Sequence, residues 1–305
     1  MYVGAEVYIN PYNGYIGKKI TKKGQRIFDE FHNKYKKYKR KSTSFLGAYN
    51  INKKENIEEL FWFVVNNQEF LDFRVYLYPI YENKDYENAD AFYLWFSLGG
   101  EYYDESEKHN SLIEVSTKGG GGIALKEPIK IKFTAKQKQK LKKEYIGYTG
   151  ERYQDSFISF KLREYLIQNG VSEKYFKAVY DTKENIVAYR LWGQDNILPS
   201  QAITIDNFER YVDTDENIYY WDYPYDEDRT DKYFKKHNSI FFHTESLTLN
   251  KIKESVLKEL EFVNETYEYT CFLGMRDTIV NRKFYELVKE VIPNADKYFV
   301  PLETV

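Results

Sequence analysis

The sequence has few of the residues from which disulfide frameworks and metal centres are built. Its one cysteine, Cys271, excludes any disulfide within the chain. None of its four histidines stands in a spaced metal-ligand motif. We therefore expect no metal and no cofactor. Cys271 lies in "YTCFLG", which is predicted to be a buried strand in which the thiol acts as a small hydrophobe.

Long apolar stretches are also missing. No run approaches the roughly 20 apolar residues that cross a bilayer. The opening "MYVGAEVYINPYNG" lacks the basic and apolar regions of a secretory signal. We expect a cytoplasmic protein with no membrane span. At 305 residues the chain is long enough for two domains or for one large body.

Charge is abundant but unevenly placed. The net charge is only −2, yet residues 18–41 carry eleven Lys and Arg against two acids, and residues 126–143 carry eight Lys against one acid. Residues 206–231 carry ten Asp and Glu against two Arg. Such asymmetry can steer a charged partner toward one face.

The hydrophobic pattern predicts an α+β fold with mixed sheets and packed helices. Helices are expected at 22–41, 55–67 and 134–146 and from Lys251 onward, where Ile252, Val256 and Leu260 form an apolar stripe. The run "SLIEVSTKGGGGIALKE" predicts two strands around a glycine tip, since the Lys-Ser/Thr ending of a P-loop is absent. We expect an N-terminal strand and basic amphipathic helix at 1–50. A first α+β unit should follow at 51–183 and a second, compactly joined, at 184–305.

Two segments of the chain have similar sequences, as two copies of one structural unit would. Placing Lys161 over Lys283 aligns "FISFKLREYL" with "TIVNRKFYEL", and it aligns Ser159 with Asn281, both N-cap residue types. One extra residue brings "KYF" at 174–176 over "KYF" at 297–299. Each copy is predicted to be a strand, a capped helix and a strand, so a tandem duplication is possible. "KHNS" also occurs twice, from Lys108 and from Lys236, which is a weaker echo.

The second copy, "DTIVNRKFYELVKEVIPNADKYFVPLE", resembles the closing module of bacterial immunity proteins from polymorphic toxin systems. The first copy, at 157–181, resembles it too. Asn281 departs from the serine expected at the cap, and Ala178 stands where the second copy has Pro301. The resemblance implies a non-enzymatic cytoplasmic protein that binds and neutralises a cognate toxin. It supplies no catalytic residues.

The segment "NIYYWDYPYDEDRTDKYF" (217–234) mixes aromatic anchors with acids around a proline. Tyr and Trp are common interface anchors, and acids would attract a basic partner. We expect a partner-binding loop, although packing of its own aromatics onto the body is an equal alternative. Its candidate residues are Tyr219, Tyr220, Trp221, Asp222, Tyr223, Tyr225, Asp226, Glu227 and Asp228.

The run "KYKKYKRK" mixes cations with tyrosines and could contact phosphates and stacked bases. It equally suits the solvated end of an amphipathic helix, and a pI near 6.2 argues against a dedicated nucleic-acid binder. The candidate contact residues are Lys34, Lys36, Lys37, Lys39, Arg40 and Lys41.

No catalytic constellation is evident in the sequence. An enzyme would require distant residues to converge, for example His237 and His243 with acids or with Cys271. The leading hypothesis is a non-enzymatic protein-binding inhibitor, most simply an immunity protein. The alternatives are a phage or mobile-element protein that blocks a host defence complex, and a nucleic-acid-binding protein that uses the 18–41 helix.

Overall fold

The computed structural model describes residues 2–9, 12–13, 18–41, 47–52, 57–67, 69–71, 73–94, 112–117, 120–125, 128–130, 133–149, 156–181, 183–193, 195–205, 209–213, 218–222, 242–243, 250–270 and 275–305. The chain divides into two compact units. Unit 1 comprises residues 1–82 and 224–249, and unit 2 comprises residues 83–223 and 250–305. The expected divisions after residues 50 and 183 fall inside unit 1 and unit 2 respectively.

Helices and strands alternate irregularly along the described chain. To residue 94 they are β1 (Tyr2–Ile9), β2 (Tyr12–Asn13), β3 (Lys18–Lys19), α1 (Lys22–Tyr35), β4 (Lys39–Arg40), β5 (Gly47–Ile51), α2 (Ile57–Asn67), β6 (Phe73–Ile80), α3 (Asn83–Asn88) and β7 (Ala91–Leu94). To residue 191 they are β8 (Leu112–Thr117), β9 (Gly120–Leu125), α4 (Ala135–Lys143), β10 (Gly147–Thr149), β11 (Ser156–Ile158), α5 (Phe160–Gln168), β12 (Phe176–Tyr180) and β13 (Ile186–Leu191). Thereafter they are β14 (Ile203–Ile205), β15 (Glu209–Asp213), β16 (Ile218–Asp222), β17 (Phe242–His243), β18 (Asn250–Ile252), α6 (Glu254–Leu257), β19 (Val263–Thr270), β20 (Met275–Asn281), α7 (Arg282–Val291), β21 (Phe299–Pro301) and β22 (Glu303–Thr304).

Unit 1 is built on a sheet in the order β17-β6-β1-β5-β4, with α1 and α2 packed on one face. Alternate residues of a strand face opposite sides of the sheet. The odd-numbered positions of β1 meet the helices, and the buried core they form is aliphatic and aromatic. Its largest members are Ile9, Phe31, Tyr35, Tyr49, Leu60 and Phe73.

Helix α1 begins where Thr21 accepts a hydrogen bond from the Gly24 amide at 3.1 Å. Its stripe of Ile27, Phe31 and Tyr35 is buried, as the sequence predicted. The expected extension of the helix to Lys41 is wrong. The helix ends at Tyr35, a 3-10 turn covers 36–38, and residues 39–40 form β4. The chain leaves the helix there because β4 pairs with β5.

Unit 2 contains several separate sheets, and with unit 1 they give the predicted α+β fold. One sheet runs β10-β11-β13-β12, a second runs β15-β16-β19-β20-β7-β21, and a third runs β14-β18-β22. The remaining described strands of unit 2, β8 and β9, form a hairpin. The sheets are mixed, as expected, because β16 pairs parallel with β19 and β18 pairs parallel with β22.

The two strand–capped helix–strand segments predicted from the sequence are both present. Ser159 caps α5 by accepting a hydrogen bond from the Leu162 amide at 3.1 Å. Asn281 caps α7 by accepting one from the Phe284 amide at 2.9 Å. Each helix is followed by a 3-10 turn and a strand, β12 or β21. Both segments contribute to one continuous core of unit 2.

The likeness extends to strand pairing. In each copy, the strands before and after the helix flank one antiparallel central strand, β13 for the first copy and β7 for the second. The two central strands share the sequence pattern "AYRLW" (188–192) and "AFYLW" (91–95). Their registers also agree. The equivalent residue triplets across the sheets are Ile158–Tyr189–Ala178 and Val280–Phe92–Pro301.

The same strand order occurs three times in the described chain. Unit 1 has β4-β5-β1-β6, and unit 2 has β10-β11-β13-β12 and β19-β20-β7-β21. We call these the first, second and third modules. Each is a split β-α-β arrangement, in which a helix joins two strands separated by a third. The third module takes its central strand β7 from residues 91–94, so the whole second module lies between its parts in the chain.

Two sequence expectations for unit 2 need correction. The long helix expected from Lys251 is a strand (β18), one short helix (α6) and the start of β19. Ile252 and Val256 of the predicted apolar stripe are both buried, but Ile252 lies in a strand and Val256 in a helix. The glycines at 120–122 lie within β9, paired with β8, and do not form a hairpin tip.

Candidate functional site

The acidic and aromatic segment is only partly described. Residues 219–222 lie in β16, between β15 and β19, so the expectation of a loop is wrong for Tyr219, Tyr220, Trp221 and Asp222. Backbone pairing on both sides, antiparallel to β15 and parallel to β19, holds them in the sheet. The other candidate residues of this segment lie outside the described residues. They are Tyr223, Tyr225, Asp226, Glu227 and Asp228.

The basic segment lies at the end of α1 and along the edge of the unit 1 sheet. Lys34 is in the last turn of α1, Lys36 and Lys37 are in the 3-10 turn, and Lys39 and Arg40 form β4. Lys41 follows directly. From Lys36 to Lys41 every residue except Tyr38 is exposed. The structure therefore brings all six candidate cations to one end of unit 1.

Two of these six cations are paired with acids. The Lys34 ammonium contacts the Glu59 carboxylate on α2, and the Arg40 guanidinium contacts Glu6 on β1. Within the part of the chain that the structure describes, no carboxylate pairs with the other four cations. These are Lys36, Lys37, Lys39 and Lys41. The patch thus carries both signs of charge with an excess of cations.

Trp62 is the residue of this region that sequence reasoning missed. Its side chain is 45% exposed, although Leu60 and Val64 on the same helix are fully buried. The sequence does contain a signal for its exposure. Leu60 and Val64 define the buried face of the helix, and Trp62 lies off that face. Glu59 precedes it by one turn of α2, so Trp62 lies beside the Lys34–Glu59 pair. We call Lys34, Lys36, Lys37, Glu59 and Trp62 the helix-end patch.

The helix-end patch rests on a rigid aromatic core. The Phe31 ring contacts the rings of Tyr35 and Tyr49 at centroid distances of 4.6 and 5.0 Å. His32 Nδ1 lies 2.9 Å from the Tyr49 hydroxyl oxygen. Burial raises the pKa of Tyr49 to about 12 and raises the pKa of Tyr35 still further. Both tyrosines therefore stay neutral, and the end of α1 packs on them.

Arg40 is committed to the sheet face opposite the helices. Its partner Glu6 also accepts a hydrogen bond from the Tyr8 hydroxyl at 3.0 Å. The Tyr8 ring in turn meets the Tyr76 ring edge-on at 5.9 Å. Burial, with the hydrogen bond to Glu6 and its charge, raises the pKa of Tyr8. This network orders the sheet face and leaves Arg40 less available to a ligand than its lysine neighbours.

Unit 2 contains a group of carboxylates that no sequence motif indicated. Glu265 and Glu268 on β19 are buried, and Glu268 accepts hydrogen bonds from Ser200 Oγ at 3.1 Å and from the Gln201 amide at 2.9 Å. Asp277 on β20 is hydrogen-bonded to Tyr93 on β7. Burial, with the nearby charge of Glu265, raises the pKa of Asp277 to about 7.

The irregular pairing of β19 and β20 creates this group. The register shifts between Glu265 and Tyr269, so three residues of β19 lie opposite Asp277. Thr266 secures the irregularity by donating to the Glu268 carbonyl at 2.7 Å and accepting from the Asp277 amide at 3.0 Å. The group can exchange a proton near neutral pH. Among the described residues, no three His, Cys, Asp or Glu are arranged to hold a metal ion.

The residues considered for catalysis are not brought together in the described chain. Cys271 and His237 lie outside the described residues, and His243 is in β17 of unit 1. None of the described helices has the length and apolarity needed to cross a membrane. Comparison of the chain with protein-family models, with curated proteins and with solved structures finds no match.

Proposed function

We propose that this protein acts by binding a partner protein stoichiometrically, and that it is an inhibitor of the toxin-neutralising immunity class. The observation that carries the proposal is the helix-end patch, in which an exposed tryptophan lies beside the Lys34–Glu59 pair. Tryptophan is among the residues most enriched at the energetic centres of protein interfaces. The kind of partner, a toxin, comes from the resemblance of the 157–181 and 278–303 modules to immunity proteins.

The rigidity of the patch supports this proposal. Leu60 and Val64 anchor α2 in the core, so Trp62 is presented on a fixed helix rather than on a loop. A surface that is ordered before binding loses less conformational entropy when the partner docks. A stoichiometric inhibitor gains affinity from such a surface without any chemical step.

A protein partner fits the charges of the patch better than a nucleic acid does. Glu59 and Glu6 already occupy Lys34 and Arg40, so fewer of the cations in this region are available to a phosphate backbone. A protein surface can match both signs of charge. Nucleic-acid binding remains an outcome that a capture experiment would detect.

The test is capture of the tagged full chain from its native host, followed by identification and reconstitution of the bound protein. We expect a complex of fixed stoichiometry by light scattering, and co-expression should protect cells from that partner if it is toxic. Trp62→Ala should weaken the reconstituted complex at least about 10-fold, from the size of interface hot spots. Ile197→Ala is the matched control, because Ile197 is 40% exposed but lies in unit 2.

Two results would overturn the proposal. One is recovery of nucleic acid alone, with affinity falling steeply between 50 and 200 mM salt in the manner of counterion release. The other is turnover of a substrate by the purified chain with no bound protein. Capture that tolerates Trp62→Ala but fails for a triple variant of Trp221, Tyr223 and Tyr225 would move the interface to the acidic and aromatic segment.

A further inference from the structure

We infer that the helix-end patch, extended by Lys39 and Lys41, docks an acidic surface of the partner protein, with Trp62 as the anchor and the four lysines between residues 36 and 41 as the steering charges. This inference rests on the proposed function and specifies the partner's chemistry. The four lysines are Lys36, Lys37, Lys39 and Lys41.

The charge balance of the region points to an acidic partner. The Lys34–Glu59 and Arg40–Glu6 pairs cancel internally, which leaves the four exposed lysines as an uncompensated positive group within the described chain. Opposed charges across an interface speed encounter and exclude partners of the wrong sign. A partner with clustered carboxylates would meet this requirement.

Two ordinary roles of lysine account for only part of the arrangement. A helix C-terminus carries partial negative charge and favours a cation such as Lys34 in its last turn. Charged residues on an edge strand such as β4 discourage unwanted strand pairing. Neither role explains why α2 exposes Trp62 one turn after Glu59, the partner of Lys34.

An acidic protein is favoured over a nucleic acid by the same side chains. The two aromatics of the basic run are closed to a stacking base: Tyr35 is buried, and Tyr38 is half-buried with the Lys37 ammonium 4.9 Å above its ring centre. Stacking of bases requires an open aromatic face. Trp62 lies on α2 and not within the lysine run, so it does not alternate with the cations as the aromatics of a stacking track do.

The two parts of the surface should act on different rate constants. Steering charges at an interface rim change the association rate and its salt dependence, whereas a desolvated aromatic anchor changes the dissociation rate. Replacement of the four lysines by Glu should therefore slow association at least about 10-fold at low salt and reverse the sign of its salt dependence, because salt then screens a repulsion. Trp62→Ala should mainly speed dissociation.

The experiment places a photo-cross-linking amino acid at Asn66 in the full chain expressed in its native host. Asn66 is exposed one turn beyond Trp62 on α2. The same probe at Ile197, exposed in unit 2, is the control position. We expect an adduct from position 66, attached to a segment of the partner rich in Asp and Glu. It should be lost with Lys→Glu at the four lysines and kept with Lys→Arg.

The other outcomes separate this inference from the proposed function. An adduct from position 197 and none from position 66 would refute the helix-end patch as the interface but would support a protein-binding function. An adduct from position 66 to a basic or neutral segment would refute the acidic partner. A nuclease-sensitive adduct would replace the protein by a nucleic acid. No adduct at either position would refute the helix-end patch, and the proposed function would then be decided by the capture experiment alone. Circular dichroism and thermal melting of each variant verify that it folds.

Discussion

Tyr189 and Phe92 hold the same position in two sheets of unit 2, although they lie almost a hundred residues apart. Each stands in the middle of a central strand and pairs with the strand before and the strand after a capped helix. The next position in each strand differs. It is Arg190 in the second module and Tyr93 in the third, and both are nearly buried.

The equivalence of these positions predicts that an arginine can replace Tyr93. In Tyr93→Arg, a guanidinium would lie among the carboxylates of Asp277 and Glu268, which both act on the Tyr93 hydroxyl. A neighbouring positive charge favours the ionised carboxylate. We expect the variant to fold and the pKa of Asp277 to fall from about 7 by at least one unit, as followed by NMR of the side-chain carboxyl.

Tyr93→Leu is the comparison for this substitution, because it removes the hydroxyl without adding charge. The hydrogen bond from Tyr93 lowers the pKa of Asp277, so Leu should leave that pKa at or above about 7. Equal pKa values of Asp277 in the Arg and Leu variants would show that a guanidinium at position 93 does not reach Asp277.

Asp277 should make stability decrease as the pH rises. Its pKa is raised from an ordinary value of 3.8 to about 7, chiefly by burial, so the folded protein holds the proton more tightly than the unfolded chain. The stability that this provides is complete below about pH 4 and is lost as the pH rises through 7. Because Asp277 retains some solvent exposure, we expect a loss on the order of 2 kcal/mol.

Asp277→Asn should abolish this dependence. The variant should match the wild type near pH 4 and exceed its free energy of unfolding at pH 8, as measured by urea denaturation. Asp195→Asn, at an exposed position, should leave the pH dependence unchanged. A variant less stable than the wild type at pH 8 would contradict the assignment.

Asp181 should make the second module sensitive to acid. Its carboxylate accepts hydrogen bonds from Lys138 Nζ at 2.5 Å, from the Lys183 amide at 2.9 Å and from the Asn185 amide at 3.0 Å. These bonds, that of Lys138 first, hold the pKa of Asp181 well below its usual range. The stability they provide is present above about pH 4 and lost as the pH falls through the lowered pKa.

Asp181→Ala should cost about 2 kcal/mol at pH 7, because it removes the buried charged acceptor of the Lys138 ammonium and of the Lys183 and Asn185 amides in the turn between β12 and β13. Glu184→Gln in the same turn is the control. It breaks only the exposed pair with Lys130 and should cost less than about 0.5 kcal/mol. Similar losses for the two variants, by thermal or urea denaturation, would refute the role of Asp181.

The two helix caps should respond differently when each cap residue is replaced by the residue type of the other cap. Ser159→Ala and Asn281→Ala should each cost about 1 kcal/mol, since each leaves a first-turn amide without its acceptor. Asn281→Ser should be nearly neutral, because Asn281 is only half-buried. Ser159→Asn should cost more than about 1 kcal/mol, because Ser159 is fully buried and a larger side chain must displace its neighbours. Differential scanning calorimetry would rank the four variants, and the opposite ranking of the two exchanges would contradict this account.

The sequence predicted the elements whose signals are local. The caps at Ser159 and Asn281 and the amphipathic character of α1 follow from spacing and residue type. The repeated strand–helix–strand segments were recognisable because buried positions such as Leu162 and Phe284 recur at the same distance from the cap. Three-fold recurrence of the strand order was not recognisable, because it depends on which distant strands pair.

The remaining features depend on tertiary contacts. The basic run was read as helix to Lys41 because its residues suit a helix, but pairing with β5 converts its end into β4. The stripe after Lys251 has helical spacing, yet Lys251 and Ile252 pair with β14 and β22. The carboxylate group around Asp277 exists only because β7, β19 and β20 meet. Trp62 was overlooked because α2 is apolar on most sides, so its position off the face of Leu60 and Val64 is a weak signal.

The placement of β7 between β20 and β21 has a consequence for biosynthesis. A ribosome releases residues 91–94 about 180 residues before residue 275 emerges, which is on the order of ten to forty seconds at ordinary elongation rates. Throughout that interval a strand that is buried along its whole length in the finished protein has no partner from its own sheet. The nascent chain must shelter it, and the second module, whose four strands and one helix emerge in one uninterrupted stretch, can fold before the third module is complete.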